Sequence, residues 1–199
     1  MNLEDYRTVF AASSLVLMLI AAAPTLGLIV SFPSGGERFS EFWVLGPNHM
    51  AKDYPFNVRV NESYNVFVGV GNHMGVSSYY LVYVKFRNQT QSLPNATSSE
   101  PSPLAPLYEF RAFVRDGGAW EAHVTFSVSD VSLHGGSVSV NRVIINDEAL
   151  TVDAFSKKDL EHNGFYYQLF FELWLYDQAS RSFIFNNRFV GIWLNVTTS

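Results

Sequence analysis

From Thr8 to Ser34 the chain carries no charged side chain, and Thr8–Phe32 is predominantly apolar. About 20 residues at 1.5 Å rise cross a hydrocarbon core of about 30 Å, so this stretch is long enough to span a bilayer as a helix. Pro24 and Gly27 lie inside it, and both are tolerated in membrane helices. A cleaved secretory signal is the competing reading, because Ala21-Ala22-Ala23 offers the small residues of a cleavage site. Three features oppose it: Pro24 would follow the cut directly, the apolar run continues to Val30, and the leader holds Glu4 and Asp5 against a single Arg7. The expectation is a short cytoplasmic N-terminus over 1–7, a transmembrane helix over 8–32 anchoring the chain in the lipid bilayer, and one further domain over 37–199.

Arg7 and Arg38 flank the span almost evenly, so the positive-inside rule does not orient it. The remainder of the chain does. Asn61-Glu-Ser63, Asn88-Gln-Thr90, Asn95-Ala-Thr97 and Asn195-Val-Thr197 are N-glycosylation acceptor patterns, all beyond the helix. With a β-rich, lysine-poor composition they favour an extracytoplasmic C-terminal domain on a single-pass membrane protein. The net charge of −5 argues against a nucleic-acid partner. The absence of cysteine excludes disulfides, thiolate metal sites and cysteine nucleophiles.

Beyond Ser34-Gly35-Gly36 the pattern has a period of two. Tyr64, Val66, Val68 and Val70 share one face, and Tyr80, Val82, Val84 and Phe86 repeat the pattern after Asn72-His73-Met74-Gly75, which reads as a hairpin. Trp120, Ala122, Val124, Phe126 and Val128 alternate with Glu121, His123, Thr125 and Ser127. Further strands are expected at Glu41–Leu45, Phe56–Val60, Tyr108–Val114, Ser137–Ile145, Ala149–Val152, Tyr166–Tyr176 and Phe183–Val196. Ala154–His162 has a short helical look. Gln91–Pro106, with four prolines, reads as an irregular exposed excursion between strands. Turn residues about every ten positions predict a mainly β fold, an antiparallel β-sandwich.

The segment Phe39-Ser40-Glu41-Phe42-Trp43-Val44-Leu45-Gly46-Pro47, then Tyr54-Pro55, resembles the opening of an archaeal membrane-protein family known only through a domain of unknown function. Val68-Gly69-Val70-Gly71-Asn72-His73, Trp120-Glu121-Ala122-His123-Val124-Thr125-Phe126, Leu173–Tyr176 and Gly191-Ile192-Trp193-Leu194-Asn195-Val196 continue the likeness in order, over roughly Phe39 to Thr197. The resemblance implies an extracytoplasmic immunoglobulin-like sandwich carried on membrane helices. It implies no activity, cofactor or catalytic residue. Members often carry several membrane helices before the domain, where this chain has one.

No motif of catalysis stands out. His49, His73, His123, His134 and His162 show no metal-ligand spacing. Asp116, Asp130, Asp147, Glu148, Asp153, Asp159 and Glu161 are scattered; Asp147-Glu148 with Asp153 lacks a calcium-loop pattern and reads as solvated turn residues. There is no Gly-x-Ser-x-Gly elbow, and Gly69-x-Gly71 does not open a helix. No cofactor, metal or catalytic residue is expected, and the chain is not expected to be an enzyme.

The anomaly is aromatic. Tyr167, Leu169, Phe171, Leu173 and Leu175 line one face of a strand and Tyr166, Phe170, Trp174 and Tyr176 the other, while Phe183, Phe185, Phe189 and Trp193 share a face of its neighbour. A half-wet sheet does not need aromatics on both faces, so the second face is covered by a loop, or packs on a protein, a membrane or a sugar. The expected function is a membrane-anchored accessory or structural subunit of a cell-envelope assembly, contacting a protein partner through Tyr166, Phe170, Trp174 and Tyr176. The alternative is a glycan-binding module presenting Trp174 or Trp193. A hydrolytic site assembled in space is a third reading, without a motif behind it.

Overall fold

The computed structural model describes residues 3–31 and 37–197, with side chains described for 6–21 and 37–197. The chain divides into two compact units, Met1–Glu37 and Arg38–Ser199.

The first unit is helix α1, Leu3–Ser31. It starts within the expected N-terminal segment 1–7, and only Phe32 of the expected span lies outside the described residues. Val9, Phe10, Leu15, Val16, Leu17, Met18, Leu19 and Ile20 are exposed, so from Val9 to Ile20 the helix carries apolar groups on every side. The Ser13 and Ser14 hydroxyls donate back to the Phe10 carbonyl at 3.0 and 2.8 Å, which keeps their polarity inside the helix. Among the described residues, no helix is long and apolar enough to cross a membrane.

The second unit is built of β1 (Phe39–Leu45), β2 (Asn57–Arg59), β3 (Tyr64–His73), β4 (Ser78–Asn88), β5 (Tyr108–Val114), β6 (Ala119–His134), β7 (Ser137–Ile145), β8 (Glu148–Lys157), β9 (Tyr166–Asp177) and β10 (Ser182–Thr197). They form two five-stranded sheets, β1-β3-β6-β7-β8 and β2-β10-β9-β4-β5. Their pairings are antiparallel except that of β2 with β10. The period-two residues of the sequence fill the space between the sheets: Val66, Val68, Val70, Val124, Phe126 and Val128 from the first meet Tyr80, Val82, Val84, Leu169, Phe171, Leu173 and Leu194 from the second.

Two sequence expectations are corrected. The segments around Val66 and Val82 are not a hairpin: β3 pairs with β1 and β6, whereas β4 pairs with β5 and β9 in the other sheet. Residues 74–77 are an arch between sheets, and the fully buried Asn72 holds it. Its Nδ2 donates to the carbonyls of Val76 and Val114, both at 2.8 Å, and its Oδ1 accepts from Met74 N at 3.0 Å and the Tyr80 hydroxyl at 3.1 Å. Ala154–His162 is not helical through Lys157, because β8 continues there with Ala154 and Ser156 turned inward opposite Val140 and Val138. A register shift beside Asp153, whose φ is 46°, restores the alternation after a bulge. Asn146-Asp147 turns β7 into β8; both residues have positive φ, 47° and 68°, as a two-residue hairpin turn with right-handed strand twist requires.

On the outer face of the first sheet, Gly69 lies under the Trp43 indole: a Cβ there would come within 2.2 Å of the ring. The Val-Gly-Val-Gly run therefore serves the core with its valines and ring clearance with this glycine.

Candidate functional site

The aromatic outer face of the second sheet is where side chains of chemical interest gather. Register places Tyr79, Leu81, Tyr83, Lys85 and Arg87 of β4 beside Tyr176, Trp174, Glu172, Phe170 and Gln168 of β9. These in turn lie beside Phe183, Phe185, Phe189, Gly191 and Trp193 of β10. Alternation thus puts Tyr166, Phe170, Trp174 and Tyr176 on one face, as the sequence predicts. They do not make one surface.

The middle of that face is sealed by the loop 89–107. Glu172 is fully buried and Lys85 nearly so. Lys85 Nζ lies 2.9 Å from Glu172 Oε2 and donates to the Ser102 carbonyl at 2.8 Å. The Ser102 N–H donates to Glu172 Oε1 at 2.8 Å, and Trp174 Nε1 donates to Oε2 at 3.2 Å. The ion pair and the loop backbone therefore saturate one another. One register step away, Arg87 Nε donates to Gln168 Oε1 at 2.8 Å and its Nη1 to the Gln91 carbonyl. Burial lowers the pKa of the Arg87 guanidinium. Phe170 is fully buried, set against Gly191, where a Cβ would come 2.7 Å from the Phe170 Cβ. Phe170 is thus unavailable as an interaction residue, and Gln91–Pro106 is in part a cover rather than an exposed excursion.

What remains open lies at the two ends. At one end, Tyr79, Tyr176 and Phe183 form a cluster with ring centroids 5.1–6.2 Å apart. Phe113 beside them is 70% exposed, Val76 is exposed, and a depression of about 700 Å³ runs between Met74, Val76, Tyr79, Phe113 and Tyr176. Half-buried Trp174 continues the ladder towards Tyr83 and Phe185. At the other end Phe56, Tyr166 and Trp193 meet Gln89, Asp159 and His162 around a cleft of about 440 Å³. Sequence reasoning missed Tyr79 and Phe113; their signal was apolar residues at outward-facing positions of their strands.

Three of the histidines are engaged locally. His49 bonds Glu121 at 2.8 Å and stacks on Phe67, His123 meets Asn65 at 3.1 Å, and His73 lies 3.6 Å from Glu41. Among the described residues, no three His, Asp or Glu side chains are grouped to hold a metal ion, Asp147, Glu148 and Asp153 included. Of the acceptor asparagines, Asn88 and Asn195 are built into the fold: Asn88 Nδ2 donates to the Phe155 carbonyl at 2.6 Å and Asn195 Nδ2 to Asn57 Oδ1 at 2.9 Å. Asn61 and Asn95 are exposed, and Asn95 uses only its Oδ1, accepting from Thr97 N and Ser98 N.

The fold and this face define a two-sheet β domain that follows an apolar helix. A family model described as a domain of unknown function (DUF1616) matches residues 33–142, more than half of the chain, and the protein belongs to that family. No curated protein matches it. Among solved structures it is similar to β-glucosidase from Listeria innocua in complex with glucose, at 12% identity and a TM-score of 0.37 over 81% of this chain and 16% of the enzyme. The same enzyme with gluconolactone gives 13% identity and a TM-score of 0.34 over 83% and 17%. The chain thus spans about a sixth of the length of these enzymes, and likeness at this level carries no argument about activity.

Proposed function

We propose that the protein is a membrane-anchored binding subunit of a cell-envelope assembly: α1 holds the domain at the bilayer, and the domain docks a protein partner outside the cell. The observation that carries the docking role is the cluster in which exposed Val76, Phe113 and Tyr176 join half-buried Met74, Tyr79 and Phe183. Clustered large apolar groups on a water-facing sheet are costly unless something covers them. The anchoring role rests on the charge-free run from Thr8 to Ser34, apolar on all sides from Val9 to Ile20, with the Ser13 and Ser14 hydroxyls bonded internally.

We also read the domain as immunoglobulin-like. The order β2-β10-β9-β4-β5 corresponds to A′-G-F-C-C′ of a variable-type sheet, and β1-β3-β6 to A-B-E. Strands β7 and β8 follow β6 outward in a meander where an immunoglobulin domain has strand D.

The test is mild-detergent extraction of the tagged full chain from native membranes, alongside a Phe113→Ser/Tyr176→Ser double variant. A partner recovered in stoichiometric amount with the native chain and lost with the variant is the expected result. A lone chain, a partner set unchanged by the variant, or release of the chain by salt without detergent overturns the reading. If the domain is exported and glycosylated, Asn61→Gln and Asn95→Gln each remove one glycan's mass on a gel, whereas Asn88→Gln and Asn195→Gln leave the glycan number unchanged.

A further inference from the structure

The cleft at the opposite end of the sheet differs in chemistry from the docking cluster. Its aromatic groups come with convergent polar side chains. Trp193 is 42% exposed although it sits within β10, and the Arg87 guanidinium lies over its ring, 5.2 Å from the centroid. A cation against the indole fixes the plane of the ring while the rest of it lines the cleft. Tyr166 is fixed as well: its hydroxyl donates to the His162 carbonyl at 2.9 Å and its ring stacks with Phe56 at 6.0 Å. The rings are therefore set in place before any ligand arrives.

The polar groups have unused capacity. Asp159 Oδ1 accepts the backbone N–H groups of Glu161 and His162 at 2.9 and 3.0 Å. Its Oδ2 has only Gln89 Nε2 and His162 Nδ1, both at 3.5 Å, too long for good hydrogen bonds. The N–H of His162, aided by Gln89, holds the Asp159 carboxyl below the usual range, so the acceptor is ionised at neutral pH. Gln89 supplies both a donor and an acceptor, and the His162 imidazole, largely exposed, supplies another.

Two occupants fit badly. The cleft lacks the three clustered ligands a metal ion needs. An acidic ligand would face Asp159 on a chain of net charge −5. A flat indole, a second ring and a mixed set of donors and acceptors around about 440 Å³ suit a ring that is apolar on its faces and hydroxylated at its rim. We infer that this cleft is a subsite for a neutral glycan, a pyranose stacking on Trp193 while Asp159, Gln89 and His162 bond its hydroxyls. This binding is separate from the docking cluster, so each can fail alone.

The test is titration of the full chain in detergent micelles with neutral gluco-, manno- and galacto-oligosaccharides, with oligouronates as charged controls. Binding is read by saturation-transfer NMR and tryptophan fluorescence. At least one neutral series is expected to saturate; Trp193→Ala is expected to weaken it about tenfold or more, the scale of a lost aromatic contact. Asp159→Asn and Phe56→Ala, both outside the strands, are expected to weaken it too, with the β-sheet circular dichroism unchanged. Phe113→Ser is expected to leave it untouched. No saturable neutral ligand up to about 10 mM, tighter binding of the uronates, or binding that survives both Asp159→Asn and Phe56→Ala overturns the assignment.

Discussion

Glu172→Ala is expected to destabilise the domain by about 3–5 kcal/mol, because it strands the Lys85 ammonium in a buried site. The native carboxylate takes Lys85 Nζ at 2.9 Å on one oxygen and the Ser102 N–H at 2.8 Å on the other. Removing it leaves an unpaired charge and an unpaired amide together. For a domain of this size the midpoint of thermal unfolding should fall by roughly 10 °C. The loop 89–107 loses its clamp at the same moment, so limited proteolysis should cut there first in the variant. Lys85→Met/Glu172→Leu is the informative companion. An apolar pair of similar volume removes both desolvation costs, so it should recover most of the stability lost by the single change. If Glu172→Ala costs less than about 1 kcal/mol, the range of an exposed pair, water reaches the site and the loop is not a seal.

That ion pair also marks the limit of what the sequence discloses. Strand positions follow from period two, and all ten expected strands are present, with β6 and β8 running on past Val128 and Val152. Alternation correctly puts Lys85, Phe170 and Glu172 on the outer face, but it gives sides of a sheet, not what lies over them. The cover comes from a segment whose four prolines and acceptor sequons suggest exposure. Aromatics on both faces of β9 were the visible sign that something covers the second. The arch at Asn72 shows a related limit: a turn with Asn and Gly between alternating segments looks the same whether the chain folds back in its own sheet or crosses to the other. Trp193 is legible in the sequence as a candidate glycan-presenting ring, but the rest of the proposed cleft is not, because Phe56, Gln89 and Asp159 come from three other segments with no spacing to connect them.

Asn72 carries the second large effect. Its side chain is fully buried and makes four hydrogen bonds that tie β3, the arch, β4 and β5 together. Asn72→Ala leaves the Val76 and Val114 carbonyls, the Met74 N–H and the Tyr80 hydroxyl short of a partner. Tyr80 keeps its contact with Ser40 Oγ at 2.8 Å and the Val76 carbonyl its bond from Ser78 Oγ at 3.2 Å, so the Val114 carbonyl and the Met74 N–H bear most of the loss. At about 1–3 kcal/mol for each buried group left unsatisfied, a loss of about 3 kcal/mol is expected. Asn72→Asp separates this account from simple packing, since it preserves shape and both acceptor contacts while replacing two donated hydrogen bonds with a carboxylate facing two carbonyl oxygens. Such an aspartate is favoured in its protonated form by the fold, which raises its pKa above the unfolded value of about 3.9. The folded state then binds more protons than the unfolded one as pH rises through that value, and stability falls with rising pH. The Asp variant should therefore be at least as unstable as the Ala variant at pH 7, and regain part of its deficit towards pH 4, where a carboxylic acid can donate to one of the two carbonyls. Urea unfolding of both variants at pH 4 and pH 7, each referred to the native chain at the same pH, measures this difference. Equal deficits at the two pH values for Asn72→Asp would show that the donated hydrogen bonds at Asn72 do not hold the arch.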